Sequence, residues 1–198
     1  RQVPGTPNAP SLAINNPNPN PLDITVTWTA PSTGGSAITG YNIFSSPDNI
    51  TYTSQANVTS GLTLTNTVNS AGTWYYKVAA QNLLGQGSQS AATSIATPTV
   101  PGIPATLTTA INSPNTAPYD VTLNWTAPTS DGGSAITGYN VYKKQGSGAL
   151  TSVINGTTAL TLTDTVASSP STNFTFHVHA VNNVGEGNYK DSTITTLN

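Results

Sequence analysis

Gly34-Gly35-Ser36-Ala37-Ile38-Thr39-Gly40-Tyr41-Asn42 returns without change as Gly132-Gly133-Ser134-Ala135-Ile136-Thr137-Gly138-Tyr139-Asn140, a shift of 132 − 34 = 98. On its N-terminal side, Asp23-Ile24-Thr25-Val26-Thr27-Trp28-Thr29-Ala30-Pro31 returns as Asp120-Val121-Thr122-Leu123-Asn124-Trp125-Thr126-Ala127-Pro128, at 120 − 23 = 97. Asp131 supplies the extra residue between the two blocks. Further out, Val3-Pro4-Gly5-Thr6-Pro7 recurs as Val100-Pro101-Gly102-Ile103-Pro104 at 97, and Asn82-Leu83-Leu84-Gly85-Gln86-Gly87 as Asn182-Asn183-Val184-Gly185-Glu186-Gly187 at 100. A drift this small places the insertions in turns, where loops tolerate them. A unit near 100 residues is too long for a solenoid repeat and has the size of a domain. The division expected is a first domain over 1–97, a Pro-rich linker over 98–104 stiffened by Pro98, Pro101 and Pro104, and a second domain over 105–198.

Within each unit the apolar residues alternate with polar ones. Ile24, Val26 and Trp28 face one way, and Thr25, Thr27 and Thr29 the other. Tyr41 and Ile43, Leu62 and Leu64, and Trp74, Tyr76, Val78 and Ala80 continue the pattern. The second unit repeats it through Val121, Leu123, Trp125; Tyr139, Val141; Leu160, Leu162; and Phe174, Phe176, Val178, Ala180. A period of two is a strand with one buried face. Adding strands near 11–14 and 91–96 gives about seven per unit, so the expected class is all-β: two tandem seven-stranded antiparallel β-sandwiches. Trp28, Tyr41, Trp74, Tyr76, Val78, Trp125, Tyr139, Phe174, Phe176 and Val178 are their expected core.

Composition agrees. Charged residues make up 6% of the 198, polarity coming from Thr, Ser and Asn, with 17 Gly and 15 Pro punctuating the strands. The net charge is −2 and only five residues are Lys or Arg, with Lys143–Lys144 the one adjacent basic pair. That excludes the basic stripe a nucleic-acid partner requires. No apolar run reaches the roughly 18 residues of a membrane helix. Without cysteine there is neither disulfide nor zinc–thiolate site. The lack of an initiator Met and signal peptide fits a processed or excised chain.

The order of motifs now matters: a Pro-rich lead-in, Trp-x-x-Pro, Gly-Gly-x-Ile-x-Gly-Tyr-x-Val/Ile, then aromatic-x-aromatic-x-Val-x-Ala-x-Asn-x-x-Gly-x-Gly. Taken twice over nearly the whole chain, it resembles the fibronectin type III family, of immunoglobulin-like architecture. The resemblance implies that Trp28 and Trp125 anchor the core from the second strand and that Tyr41 and Tyr139 pack from the third. The family's tyrosine corner falls on Trp74 and Phe174. Phe174 has no hydroxyl and Trp74 only an indole N–H, so packing is expected to hold that corner. The integrin-binding Arg-Gly-Asp sequence is missing. The turns there read Leu84-Gly85-Gln86-Gly87 and Val184-Gly185-Glu186-Gly187.

Candidate sites are few. His177 and His179 share a strand face, yet Phe176 and Val178 point at the core, so the pair is expected on the solvent face and not as metal ligands. The acidic residues are scattered singly, no Ser sits in a nucleophile elbow, and the Gly-Gly turns lack the Lys and helix of a phosphate loop. No enzyme, cofactor or metal centre is expected. Asn-x-Ser/Thr sequons at Asn49, Asn57, Asn124, Asn155 and Asn173 could carry glycans, although so Asn- and Thr-rich a chain holds about that many by chance. Lys77 is the best-placed lysine for an isopeptide cross-link, but alternation turns it outward. Phe44, Tyr75 and Tyr142 occupy the polar phase of their strands and are the candidate binding surface, for protein or sugar, against the alternative of pairing within the sheet.

The function these features imply is a non-enzymatic extracellular module on a cell surface or virion: a spacer, adhesive unit or filament subunit. The alternative is an accessory domain pair of a secreted polysaccharide-degrading enzyme or phage tail protein. The expected partners are other copies joined head to tail, neighbouring domains, or a surface glycan. Because the chain begins with the linker-like Val3–Pro7 segment and stops where the next linker would fall, copies are expected to tile end to end.

Overall fold

The alternating Ile24, Val26 and outward threonines set a strand, and so does every comparable run along the chain. In a computed structural model, which describes residues 1–15, 22–112, 118–166 and 171–196, all regular elements are strands. They form two compact units, Arg1–Pro98 and Thr99–Asn198.

The first unit holds β1 (Ser11–Ile14), β2 (Asp23–Thr27), β3 (Ile38–Ser46), β4 (Thr53–Val58), β5 (Thr63–Thr67), β6 (Thr73–Asn82), β7 (Gly85–Gln86) and β8 (Thr93–Ala96). One sheet runs β1-β2-β5; the other runs β4-β3-β6, with β7 and β8 both paired to β6. The second unit holds β9 (Thr106–Ile111), β10 (Tyr119–Thr126), β11 (Ile136–Gln145), β12 (Thr151–Thr157), β13 (Thr161–Val166), β14 (Asn173–Asn182) and β15 (Glu186–Thr195). Its sheets are β9-β10-β13 and β12-β11-β14-β15. All pairings are antiparallel. Two such sheets, each with one apolar face, bury those faces against one another.

Ile24, Val26, Trp28, Tyr41, Ile43, Tyr76, Val78 and Ala80 fill the first core, with Trp74 half-buried at its edge. Val121, Leu123, Trp125, Tyr139, Val141, Phe174, Phe176, Val178 and Ala180 fill the second. Trp28 and Trp125 are each only 3% exposed and lean on Tyr41 and Tyr139, with ring centroids 5.5 Å and 5.8 Å apart. Leu62 and Leu160 depart from the alternation: they sit just ahead of β5 and β13 with exposed side chains. Their carbonyls accept the Trp28 and Trp125 N–H at 3.0 Å, so backbone pairing continues where side-chain burial stops.

Two expectations are corrected. Residues 99–104 are not a free linker: Thr99 N–H donates to Gly132 O at 2.8 Å and Gly102 N–H to Ser130 O at 2.9 Å, as Gln2 and Gly5 bond Gly34 and Ser32 in the first unit. The Pro-rich segment is the outermost stitch of the domain that follows it. And packing alone does not hold the first unit's corner: Trp74 Nε1 donates to Ser70 O at 3.0 Å, so an indole bonds back to the nearby backbone after all. Phe174, at the same place in the second unit, is buried among apolar neighbours.

Glycine accounts for the repeated Gly-Gly and Gly-x-Gly motifs. Gly132 has φ +75° and a Cβ there would fall 2.2 Å from Thr99 O; a Cβ on Gly187 would fall 2.2 Å from Pro101 O. Both positions let the lead-in segment touch the sandwich backbone to backbone.

Candidate functional site

On β11, β14 and β15 the residues in phase with the solvent side are Asn140, Tyr142 and Lys144; His177 and His179; and Tyr189 and Asp191. The register sets Tyr142 and Asp191 beside His177, and Asn140 and Tyr189 beside His179. Side chains opposite one another on a sheet stand close enough to interact, and rings reach the diagonal neighbour as well. Here they do. Tyr189 lies over His177 with centroids 4.0 Å apart and planes 10° from parallel. Tyr142 meets His179 edge to face at 5.3 Å, and His179 also touches Tyr189 at 5.3 Å.

The expected solvent-facing histidine pair is therefore corrected. The two rings do lie on the face away from the core, but Tyr189 and Tyr142 cover them, and His177 is only 5% exposed. Burial pushes the His177 imidazole below its usual pKa, and nearby Lys144 adds to that, against the opposing pull of Asp191. His179 Nδ1 lies 2.9 Å from Gly187 O and 3.0 Å from Glu186 Oε1. A carbonyl can only accept, so Nδ1 carries the proton. Glu186 also accepts from Tyr142 Oη at 3.0 Å and from Asn140 Nδ2. Among the described residues no three His, Cys, Asp or Glu side chains are placed to hold a metal.

The first unit lacks this arrangement. Lys77 and Ala79 stand where the histidines do, and Lys77 Nζ sits 4.0 Å above the Tyr52 ring. Its final strand is broken into β7 and β8. Ser90 Oγ accepts the Val78 N–H at 3.0 Å across the break, and the counterpart of Tyr189 is Gln89, not an aromatic ring. Phe44 and Tyr75 lie half-exposed on this unit's outer face and Tyr142 on the other unit's. Asn49, Asn57, Asn124, Asn155 and Asn173 are all exposed. Several of their amides are engaged locally: Asn57 donates to Asn42 Oδ1 at 2.7 Å and Asn173 accepts from Thr195 Oγ1 at 2.7 Å.

Three features escaped the sequence reading. Tyr189 and Glu186, which complete the ring cluster, sit in a strand without clear alternation. Asn82 and Asn182 are buried clamps. Asn182 Nδ2 donates to Thr99 O and Asp131 O, each at 2.8 Å, while Oδ1 accepts from Val184 N–H at 2.8 Å. Asn82 does the same with Gln2 O, Thr33 O and Leu84 N–H. The exact return of this Asn in both repeats was the available signal. Lastly, Lys143 Nζ bonds Asp164 Oδ2 at 2.7 Å, joining β11 to β13 across the sandwich. The first unit bridges the same end with Asn66 Nδ2 donating to Tyr76 Oη at 2.8 Å. An open cleft of about 640 Å³ beside Lys143, Lys144, Gly146 and Phe174 gathers no further titratable cluster.

Residues 109–196 match the family model described as fibronectin type III domain. Two antiparallel sandwiches with the same anchors and clamps define the class, an immunoglobulin-like tandem. The second unit belongs to the fibronectin type III family, and the first repeats its sequence motifs and its two-sheet strand pairing. The chain is 32% identical over 197 residues to exoglucanase B of Cellulomonas fimi, covering 93% of this chain and 16% of that protein. Endoglucanase B of the same organism is 31% identical, with 86% of this chain and 16% of that protein covered. Chitinase A1 of Niallia circulans is 32% identical, with 92% and 24% covered. This chain thus spans no more than about a quarter of these relatives' length. A solved structure of the chicken CNTN1 FN1–FN3 domains aligns with a TM-score of 0.44 and 19% identity, over 98% of this chain and 67% of that one. A fibronectin type III domain is a non-catalytic module, and no helix among the described residues is long and apolar enough to cross a membrane.

Proposed function

We propose that this chain is a non-catalytic accessory domain pair of an extracellular protein that acts on polysaccharide. One observation carries the reading. Nearly the whole chain matches proteins named for different substrates, a glucan in two cases and chitin in the third, while spanning a small part of each. A part shared across substrates serves something common to them, such as spacing a catalytic domain or holding it near an insoluble polymer. Sandwich domains suit that role, because each buries its own apolar core in a chain that has no cysteine to cross-link it.

The test is to append residues 1–198 to a glycoside-hydrolase catalytic domain that lacks accessory domains. The chain alone is expected to release no sugar from cellulose or chitin. The fusion should raise activity on the insoluble polymer relative to a soluble oligosaccharide. An unchanged ratio overturns the reading, and filaments formed by the isolated chain would point instead to a self-assembling structural unit.

A further inference from the structure

Tyr189 has two ring faces, and one of them is used up on His177. The stack is nearly parallel, the His177 ring is 5% exposed and Tyr189 itself 46% exposed, so the exposed part of Tyr189 lies away from the face that covers His177. We propose that the outer face of β11, β14 and β15, with Tyr189 as its platform, is a binding site for a linear neutral polysaccharide of β-linked hexopyranose units. This rests on the accessory reading above and names the ligand of the pair.

The chemistry of the face selects that class. A hexopyranose with equatorial hydroxyls is a flat ring with C–H bonds on both faces and polar groups around its edge. It needs an open aromatic plane below and hydrogen-bonding groups at the rim. Tyr189 provides the plane. His177 beneath it is kept neutral near pH 7 by burial, so the stack carries no charge of its own. The rim is supplied by Asp191 beside His177, Lys144 one row away, and the Asn140–Glu186–Tyr142 group on the other side. One cation and two carboxylates leave no strong field to draw a polyanion. The platform is also held still. Tyr189 contacts both His177 and His179, and His179 is fixed by Gly187 O and Glu186, so little ring entropy remains to be lost on stacking. The first unit has Lys77 over Tyr52 and no aromatic at the Tyr189 place, so a single site per chain is assigned.

Cellohexaose and chitohexaose titrated into the full chain, read by aromatic NMR, test this. The Tyr189 and His177 ring resonances should shift and saturate. Tyr189→Phe should bind like the parent, and Tyr189→Ala should weaken binding about tenfold or more. Backbone spectra and melting of Tyr189→Ala report whether it is folded. Phe44→Ala in the first unit should change nothing. Silence of the Tyr189 and His177 signals at about 10 mM ligand, ten times a millimolar Kd, overturns the proposal. So do shifts that map elsewhere, or a folded Tyr189→Ala that binds as well as the parent. Failure here is separable from failure of the accessory role: a fusion that aids insoluble-polymer hydrolysis equally well with Tyr189→Ala rejects the site and keeps the role.

Discussion

Asn182 donates to Thr99 O, Asp131 O and, at 3.4 Å, Ser134 O and accepts from Val184 and Gly185 N–H through one buried amide, and in doing so ties three separate stretches of chain: the lead-in at Thr99, the Gly-Gly turn around Asp131, and the turn at 183–185. Truncating it leaves several backbone groups unpaired, each costing about 1–3 kcal/mol when buried. Asn182→Ala should therefore lower the second unit's stability by about 3 kcal/mol in urea melts, and Asn182→Asp, which keeps the acceptor but loses the donors, should recover only part. Gly187→Ala should be at least as damaging, because the added methyl meets Pro101 O at 2.2 Å. If either variant melts with the parent, the clamp is not holding the lead-in. These residues were visible in the sequence as repeats, but not as clamps. A repeated Asn or Gly announces that something is required; which backbone it touches depends on chain segments some 50 to 80 residues away in sequence, as with Asn182 and Thr99.

β14 shows how far alternation carries. It placed Phe174, Phe176 and Val178 on one face and the histidines on the other, and that phase holds in the structure. It said nothing of what lies over the histidines, because β15 reads Glu186-Gly187-Asn188-Tyr189-Lys190-Asp191 with no period, and only the antiparallel register lays Tyr189 against them. The cover has a pH signature. His177 titrates below its usual value in the folded state, so the unfolded chain binds the proton first as pH falls. Stability from this residue is full above about pH 6.5 and is lost as pH drops through the lower folded value. Melting of the second unit measured between about pH 7.5 and pH 5 should show this loss, and His177→Phe should reduce it. A parent and a variant with the same pH slope would remove His177 as the cause. At the far end of the sheet, Lys143→Ala strands a half-buried Asp164 carboxylate. Because the pair is partly hydrated, a loss of about 1–2 kcal/mol is expected. The double variant Lys143→Met with Asp164→Leu should be milder than Lys143→Ala alone. A double variant as damaging as the single one would show that packing, not the stranded charge, sets the loss.

At the scale of the molecule, two separate cores predict two separate transitions. Trp125→Ala should cost the second unit about 3–5 kcal/mol and leave the first unit's melting unchanged; calorimetry of the full chain resolves the two. The 97-residue repeat made two domains legible, and strand periodicity made the sandwich class legible. Their seam was less so, since three prolines read as a joint while Thr99 and Gly102 in fact pair with the second sandwich. A fragment over 99–198 should accordingly be more stable than one over 105–198, and equal melting of the two would restore the linker reading. The stitched lead-in also has a mechanical consequence. When tension is applied at residue 98, it meets the Thr99–Gly132 and Gly102–Ser130 bonds and the Asn182 amide before it reaches β9. Each domain thus has a short sacrificial length of chain that can peel away under load while its core stays closed, a shock absorber built from a few hydrogen bonds and two glycines.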